Sequence, residues 1–245
     1  MHKLIEGDAF EALEGLPKVK CLIADPPDAI GLKYKNGTDR MSERDYRRFM
    51  SDCLYAFTDR ADVVWISYNA KWTFMMGSLI DDFLLVTKPG LRGKGFEAKP
   101  FIQTFSFGQN NKNDCGNGHR PIVRIRRQGS PLYAKNILVP SWRILHEDKR
   151  ANKKGKVPLD VWDFPRVTGN SSQRRAYHPT QLHEGLVARM ILMSTKPGDT
   201  VYDVFSGTGT VLRVAQRAKR HTVSIESDPF YCEKLREEHP CLETT

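Results

Sequence analysis

Two short blocks near opposite ends of the chain do most to limit its fold. The apolar run Val19-Lys20-Cys21-Leu22-Ile23-Ala24 stops at Asp25-Pro26-Pro27, and Thr200-Val201-Tyr202-Asp203-Val204 stops at Phe205-Ser206-Gly207-Thr208-Gly209-Thr210. Short, nearly continuous apolar runs suit strands buried on both faces of a parallel sheet. Open sheets of that kind collect ligands at the carboxyl ends of their strands, where both blocks fall. A turn of small residues opening a helix lets a cofactor press on backbone N–H groups. A carboxylate ahead of two prolines, which fix φ and carry no N–H, makes a rigid corner. Together they predict a group-transfer enzyme.

The rest of the chain fits an α/β alternation. Leu4–Asp8 reads as a strand running into a turn, and Ala9–Leu16 as a short helix stopped by Pro17. Ser42 is placed to cap a helix whose Tyr46, Phe49, Met50, Cys53, Leu54 and Phe57 recur at steps of three and four. Asp62–Ser67 follows as a buried strand and Lys71–Leu79 as a helix. A second run of signals places a helix at Leu182–Ser194, a strand at Thr200–Phe205, a helix at Gly209–Ala218, a strand at His221–Glu226 and a helix at Pro229–Glu238.

Between the two runs the character changes. Residues 91–175 hold 18 Lys and Arg against 6 Asp and Glu, more than the whole excess of +9 on the 245-residue chain. Polyanionic partners follow from such a balance. Pro121–Arg126 alternates as a strand, apolar on one face and cationic on the other, between polar loops at 108–119 and 148–156. This middle segment is expected as an insertion on one side of the sheet. No run of about 18 apolar residues suggests a membrane span. Met1–Asp8 lacks the pattern of a signal peptide, so a cytoplasmic protein is expected. Five scattered cysteines without CxxC spacing argue against a disulfide framework or a metal site; Cys115 with His119 is the nearest approach to a ligand pair.

Glu226 closes the strand after the glycine turn, where a carboxylate can take the two hydroxyls of a ribose. The absence of a GxGxxG pattern favours an adenosine-type ligand without a diphosphate. At the other block, carboxylate and carbonyl oxygens are suited to accept hydrogen bonds from an amino group. Each block alone is also compatible with an ordinary strand-terminating turn.

Asp25-Pro26-Pro27, His178-Pro179-Thr180-Gln181 and Asp203-Val204-Phe205-Ser206-Gly207-Thr208-Gly209-Thr210 resemble, in that order, the motifs of the β-class amino-methyltransferases, which methylate adenine N6 or cytosine N4 in DNA. The resemblance implies S-adenosylmethionine as cofactor and a Rossmann-like methyltransferase sheet, circularly permuted. Its catalytic half would be residues 1–90, a basic target-recognition insertion 91–165, and the cofactor half 166–245. By the same resemblance Asp25, Pro26 and Pro27 would hold the target amino group. Phe205, Ser206, Gly207 and Gly209 would line the methionine side of the cofactor, with Asp203 and Thr210 flanking them. Glu226 would bind the ribose, Asp8 would contact the adenine, and His178, Thr180 and Gln181 would close over the donor. Adenine is expected ahead of cytosine because the Ser-Pro-Pro form goes with cytosine in the family. A duplex with a flipped base, a homodimer and a place in restriction-modification are all compatible with it.

One departure stands out. Asp28 occupies the position where the family usually carries an aromatic residue that stacks on the flipped base. Three readings are open. Tyr34, Tyr68 or Trp72 stacks instead; Asp28 hydrogen-bonds the base edge; or the enzyme is impaired or takes a different substrate, such as RNA or a modified base. Leu182-His183, where Lys-Pro is common, is expected to alter only local packing. In the basic middle, Arg120, Arg124, Arg126 and Arg127, with Lys149, Arg150, Lys153, Lys154 and Lys156, are expected to contact phosphates. Asn110, Asn111, Asn113 and Asn117 are candidates for reading base edges.

Overall fold

The computed structural model describes residues 1–35, 37–88, 95–106 and 112–244. Its first strand, β1 (His2–Glu6), leads into the short helix α1 (Ala9–Glu14) and then to β2 (Val19–Ala24). A two-stranded hairpin, β3 (Lys33–Tyr34) and β4 (Gly37–Thr38), precedes α2 (Glu43–Arg60), β5 (Ala61–Ser67) and α3 (Thr73–Val86). Next come β6 (Phe96–Thr104), β7 (His119–Arg127), the one-turn helix α4 (Trp142–Leu145) and β8 (Val161–Asp163). The chain ends with α5 (Glu184–Ser194), β9 (Thr200–Val204), α6 (Thr210–Arg217), β10 (His221–Glu226), α7 (Pro229–Glu238) and β11 (Glu243–Thr244).

Nine strands form one sheet in the order β11-β1-β10-β9-β2-β5-β7-β6-β8 among the described residues. From β11 to β5 every pairing is parallel, and β7 runs antiparallel to both β5 and β6. Successive residues of β2 face opposite layers. Leu22 and Ala24 pack with Tyr46, Leu54 and Phe57 of α2, whereas Cys21 and Ile23 pack with Leu186, Met190 and Ile191 of α5. The apolar run is therefore explained by burial on both sides. Ser42 caps α2 through its Oγ, which accepts from Asp45 N at 3.1 Å.

The middle third is not simply an insertion. Residues expected to stand off the sheet supply β6, β7 and β8, and so complete it. Pro100 helps to hide β6 in the sequence, since proline is uncommon inside a strand. It is tolerated here because β8 pairs only with Ile102–Thr104, leaving Pro100 with β7 alone as neighbour. Outside the strands this third keeps the exposed basic loop Lys149–Lys156.

Trp65 lies fully buried in β5, and its Nε1–H donates to Ser194 Oγ of α5 at 2.8 Å, tying that helix to the sheet. Replacing Ser194 by Ala leaves the buried indole N–H without its acceptor. The expected loss is about 1–3 kcal/mol of stability, read by urea unfolding.

Candidate functional site

Because β2, β9 and β10 are parallel neighbours, their carboxyl ends lie side by side. Ala24 is in register with Val204, and Ile225 with Val204 across the next pair. Asp25, Phe205 and Glu226 thus emerge on one edge and line one cavity of about 330 Å3, together with His178, Thr180 and Gln181. Asp203, Ser206, Gly207 and Thr210 line it as well.

The turn after β9 is shaped by its residues. Phe205 has φ of 65°, a left-handed conformation that costs a side-chain-bearing residue about 1–2 kcal/mol. Its ring packs against Phe49 at 6.0 Å and Phe57 at 6.2 Å, and Ser206 N donates to Ile225 O at 3.0 Å. Gly207, at φ 50°, lies under the His178 ring, where a Cβ would come within 2.9 Å of Nε2. At Gly209, φ 69°, a Cβ would run into Leu235. Gly207 therefore leaves bare backbone on the cavity floor, whereas Gly209, which does not line the cavity, is required by packing against Leu235. His178 is fixed over it by a hydrogen bond between Nδ1 and Thr180 O and by contact with Tyr231 at 4.7 Å; burial pushes its pKa down.

Glu226 is 8% exposed, and burial pushes its pKa up. It accepts from Gly207 N at 2.7 Å and Asp228 N at 2.9 Å, one bond to each carboxylate oxygen. Each oxygen keeps a lone pair for a ligand hydroxyl. Asp203, 3% exposed, is pushed up to about 7 by burial. Gln181 lines the cavity but is anchored away from it, accepting from Arg175 N at 3.1 Å and donating to Gln173 O at 2.7 Å. Asp8 does not line the cavity. Its Oδ1 caps α1, accepting from Phe10 N at 2.8 Å and Glu11 N at 3.2 Å, and this cap is the role the structure gives the residue expected at the adenine.

At Asp25 the structure adds a residue that the sequence pointed elsewhere. Since β7 is antiparallel to β5, its beginning reaches the carboxyl edge, and Arg120 arrives beside Asp25. Arg120 Nη2 donates to Asp25 Oδ1 at 2.7 Å and to Asp28 Oδ1 at 3.0 Å, Nη1 to Asp28 Oδ2 at 2.9 Å, and Nε to Ser67 Oγ at 3.1 Å. Ser67 Oγ donates in turn to Asp25 Oδ1. Burial works against the charge on Arg120, and Asp25 and Asp28 outweigh it, raising its pKa.

Asp28 is 5% exposed with both oxygens on Arg120, so it does not present a free carboxylate to a base edge. Ala29 follows at φ 52°, and Trp72 Nε1–H donates to Asp28 O at 2.6 Å. Of the candidate stacking rings, Trp72 and Tyr68 are buried in the core, whereas Tyr34 lines the cavity against His178.

A second cavity of about 820 Å3 adjoins the first and shares Asp25, Asp28, Arg120, Thr180, Gln181 and Leu182 with it. Its own lining includes Asn69, Lys71, Asn117, His119 and Arg166. Cys115 also lies on this wall.

The four arginines of β7 are not free for phosphate. Besides Arg120, Arg124 is 5% exposed over the rings of Trp65 and Phe101, Arg126 pairs with Glu97 at 2.7 Å, and Arg127 donates to Thr58 O at 3.0 Å. Alternation marks the strand, but Trp65, Phe101 and Glu97 of the neighbouring strands and Thr58 of α2 occupy its cationic side chains. Lys149, Arg150, Lys153, Lys154 and Lys156 are exposed, with Arg150 held by Asp148 at 2.9 Å. Asn113 and Asn117 are exposed; Asn110 and Asn111 lie outside the described residues. His183 caps α5, accepting from Gly185 N at 3.0 Å, and stacks on Phe164, the local packing role expected of it.

Asp203 makes stability depend on pH in a defined direction. Above its ordinary value of 3.8 the unfolded chain releases a proton that the folded chain keeps up to about 7, so this group's contribution falls as pH rises through that window. Urea unfolding of wild type and Asp203→Asn should show the variant gaining on wild type as pH is raised from about 4 to about 7.

Residues 19–237 match the family profile described as DNA methylase, of the N6/N4 type. Two relatives align along most of the chain. The DNA adenine methyltransferase YhdJ of Escherichia coli (strain K12) is 27% identical over 246 aligned positions, covering 93% of this chain and 79% of its own. The type II methyltransferase M.HpaI of Haemophilus parainfluenzae is 25% identical, covering 96% and 73%. Among solved structures, the cytosine-N4-specific PvuII DNA methyltransferase superimposes with a TM-score of 0.65 at 18% identity, over 93% of this chain and 82% of its own. The M1.HpyAVI–SAM complex does so at 0.62 and 16%, over 97% and 100%. These last two likenesses establish the α/β methyltransferase fold. With a profile spanning nearly the whole chain, and a site assembled from its motifs, the protein belongs to the N6/N4 DNA methylase family.

Proposed function

We propose that the chain transfers a methyl group from S-adenosylmethionine to an exocyclic amino group in DNA, adenine N6 ahead of cytosine N4. The observation that carries the reading is the meeting of two cavities at Asp25, one floored by glycine backbone and one open toward polar side chains. The first fits the cofactor. Gly207 clears its floor, and Glu226 keeps lone pairs for the hydroxyls of a ribose. Thr180 and His178 border the donor end, and Asp203 lies behind the turn. When bound, the cofactor supplies an electrophilic methyl group.

Asp25 addresses the acceptor. Among the described residues both of its bonds fall on Oδ1, from Ser67 and Arg120, and Oδ2 is left to accept from the target amino group. Pro26 and Pro27 stiffen the corner that aims it. As the amino nitrogen takes the methyl, one of its protons must leave, and Asp25 Oδ2 is where this chain can receive it. A base has to leave the duplex stack to reach this point, and the larger cavity gives it room beside Asn69 and Asn117. Tyr34 is the candidate ring for stacking, and Lys149, Arg150, Lys153 and Lys154 the candidates for phosphate contact. The order of the strands, β2 and β5 before β9 and β10, agrees with the permuted arrangement.

Adenine is favoured by Asp25 in place of serine and by the named activity of the Escherichia coli relative. Incubation with labelled S-adenosylmethionine and duplex DNA, single-stranded DNA or RNA, followed by mass identification of the nucleoside, tests the reading. N6-methyladenine in duplex DNA is expected. Asp25→Ala is expected to lower transfer at least about 100-fold while leaving cofactor affinity within about threefold. Tight DNA binding without transfer would instead identify an impaired nucleic-acid-binding protein, and methylated RNA a different substrate.

A further inference from the structure

We propose that Asp28 occupies the guanidinium fork of Arg120 and thereby keeps one oxygen of Asp25 open to the target amine, so that Asp28 and Arg120 act as a positioning pair. The proposal rests on the methyl-transfer reading for Asp25, and goes beyond it in giving a role to the residue that departs from the family pattern. Neither member of the pair is needed to touch the base.

An arginine beside a single carboxylate closes on it with two parallel N–H···O bonds, one to each oxygen. Such a grip on Asp25 would put a guanidinium N–H on Oδ2 as well, leaving a single lone pair there for an amino group and setting the full cationic charge against the carboxylate that should accept it. In this site the two-point grip falls on Asp28, through Nη1 at 2.9 Å and Nη2 at 3.0 Å. Asp25 receives only the second proton of Nη2, at 2.7 Å on Oδ1. Nε is taken by Ser67 Oγ at 3.1 Å, so four of the five N–H donors of the planar group are directed at this cluster.

Charge supports the same division. The cluster sets two carboxylates against one guanidinium, and Arg120 is shared rather than spent on Asp25. Asp28 is fixed in turn by backbone: Trp72 Nε1–H donates to its carbonyl at 2.6 Å, and the left-handed Ala29, φ 52°, turns the chain away immediately after it. An aromatic ring at position 28 would supply a stacking face but no counter-charge, leaving the buried Arg120 to Asp25 alone. Arg120 and Asp28 therefore belong together.

The test is a double-variant cycle on the full chain, with duplex DNA as substrate and circular dichroism melting to confirm folding. Asp28→Asn is expected to lower kcat by about 100-fold with KM for DNA within about threefold, because the carboxylate it replaces does not contact the base. Asp28→Asn/Arg120→Gln is expected to exceed Asp28→Asn alone by about tenfold, since removing the cation reopens Asp25. Asp28→Ser takes the same place in the cycle if the amide variant does not fold. An Asp28→Asn enzyme with wild-type kcat, or a double variant no better than the single, overturns the proposal. A crystal structure of Asp28→Asn gives a readout independent of turnover, so it still decides should the methyl-transfer reading fail. Arg120 is expected to grip both oxygens of Asp25, and an unmoved Arg120 counts against the pair.

Discussion

The site depends on β2 lying in parallel register between β9 and β5. Ile23 faces Asp203 across one ladder and Trp65 across the other, and both pairs belong to strands buried on two faces. This places the end of the proline corner beside the end of the glycine turn, although about 180 residues separate them in the chain. Helices on each layer hold the register. A slip of one residue would exchange the side chains facing α2 for those facing α5, and both layers would lose their packing.

A second constraint is the reversal of direction at β7. Six parallel strands bring carboxyl ends to the edge, and an antiparallel neighbour brings its amino end there instead. Arg120 uses that reversal to reach Asp25 from a part of the chain that carries neither motif. A buried ion pair contributes little to stability by itself, because desolvation offsets much of the attraction. What the cluster contributes is geometry: a fork divided between Asp28 and Asp25, with Ser67 closing the third side.

Much of this was legible in the sequence because burial on two faces and strand-end turns leave local signatures. The strand at His221–Glu226 and the helix at Pro229–Glu238 have the bounds read from periodicity and capping residues. β6 was not legible, since Pro100 and the charges at Glu97 and Lys99 interrupt its pattern and its partner β7 supplies the reason it forms. Arg120 carried a strand signal but no sign of its role. Alternation tells which residues share a face and is silent on what covers that face. Asp8 shows the converse, because a Gly-Asp turn suits a ligand contact and a helix cap equally, and the amides of Phe10 and Glu11 are the nearer donors. The departure at Asp28 was visible from the start, and only the fold supplies its counter-ion.

On the proposed reading, cofactor and target base meet at the free oxygen of Asp25. A crystal structure of the full chain with a duplex and an unreactive analogue of the cofactor tests it most directly. The target amino nitrogen is expected within about 2.7–3.2 Å of Asp25 Oδ2, with the analogue over Gly207 and Arg120 still held by Asp28. An extruded base seated away from Asp25, or an Asp25 with both oxygens closed by Arg120 in that complex, would contradict it.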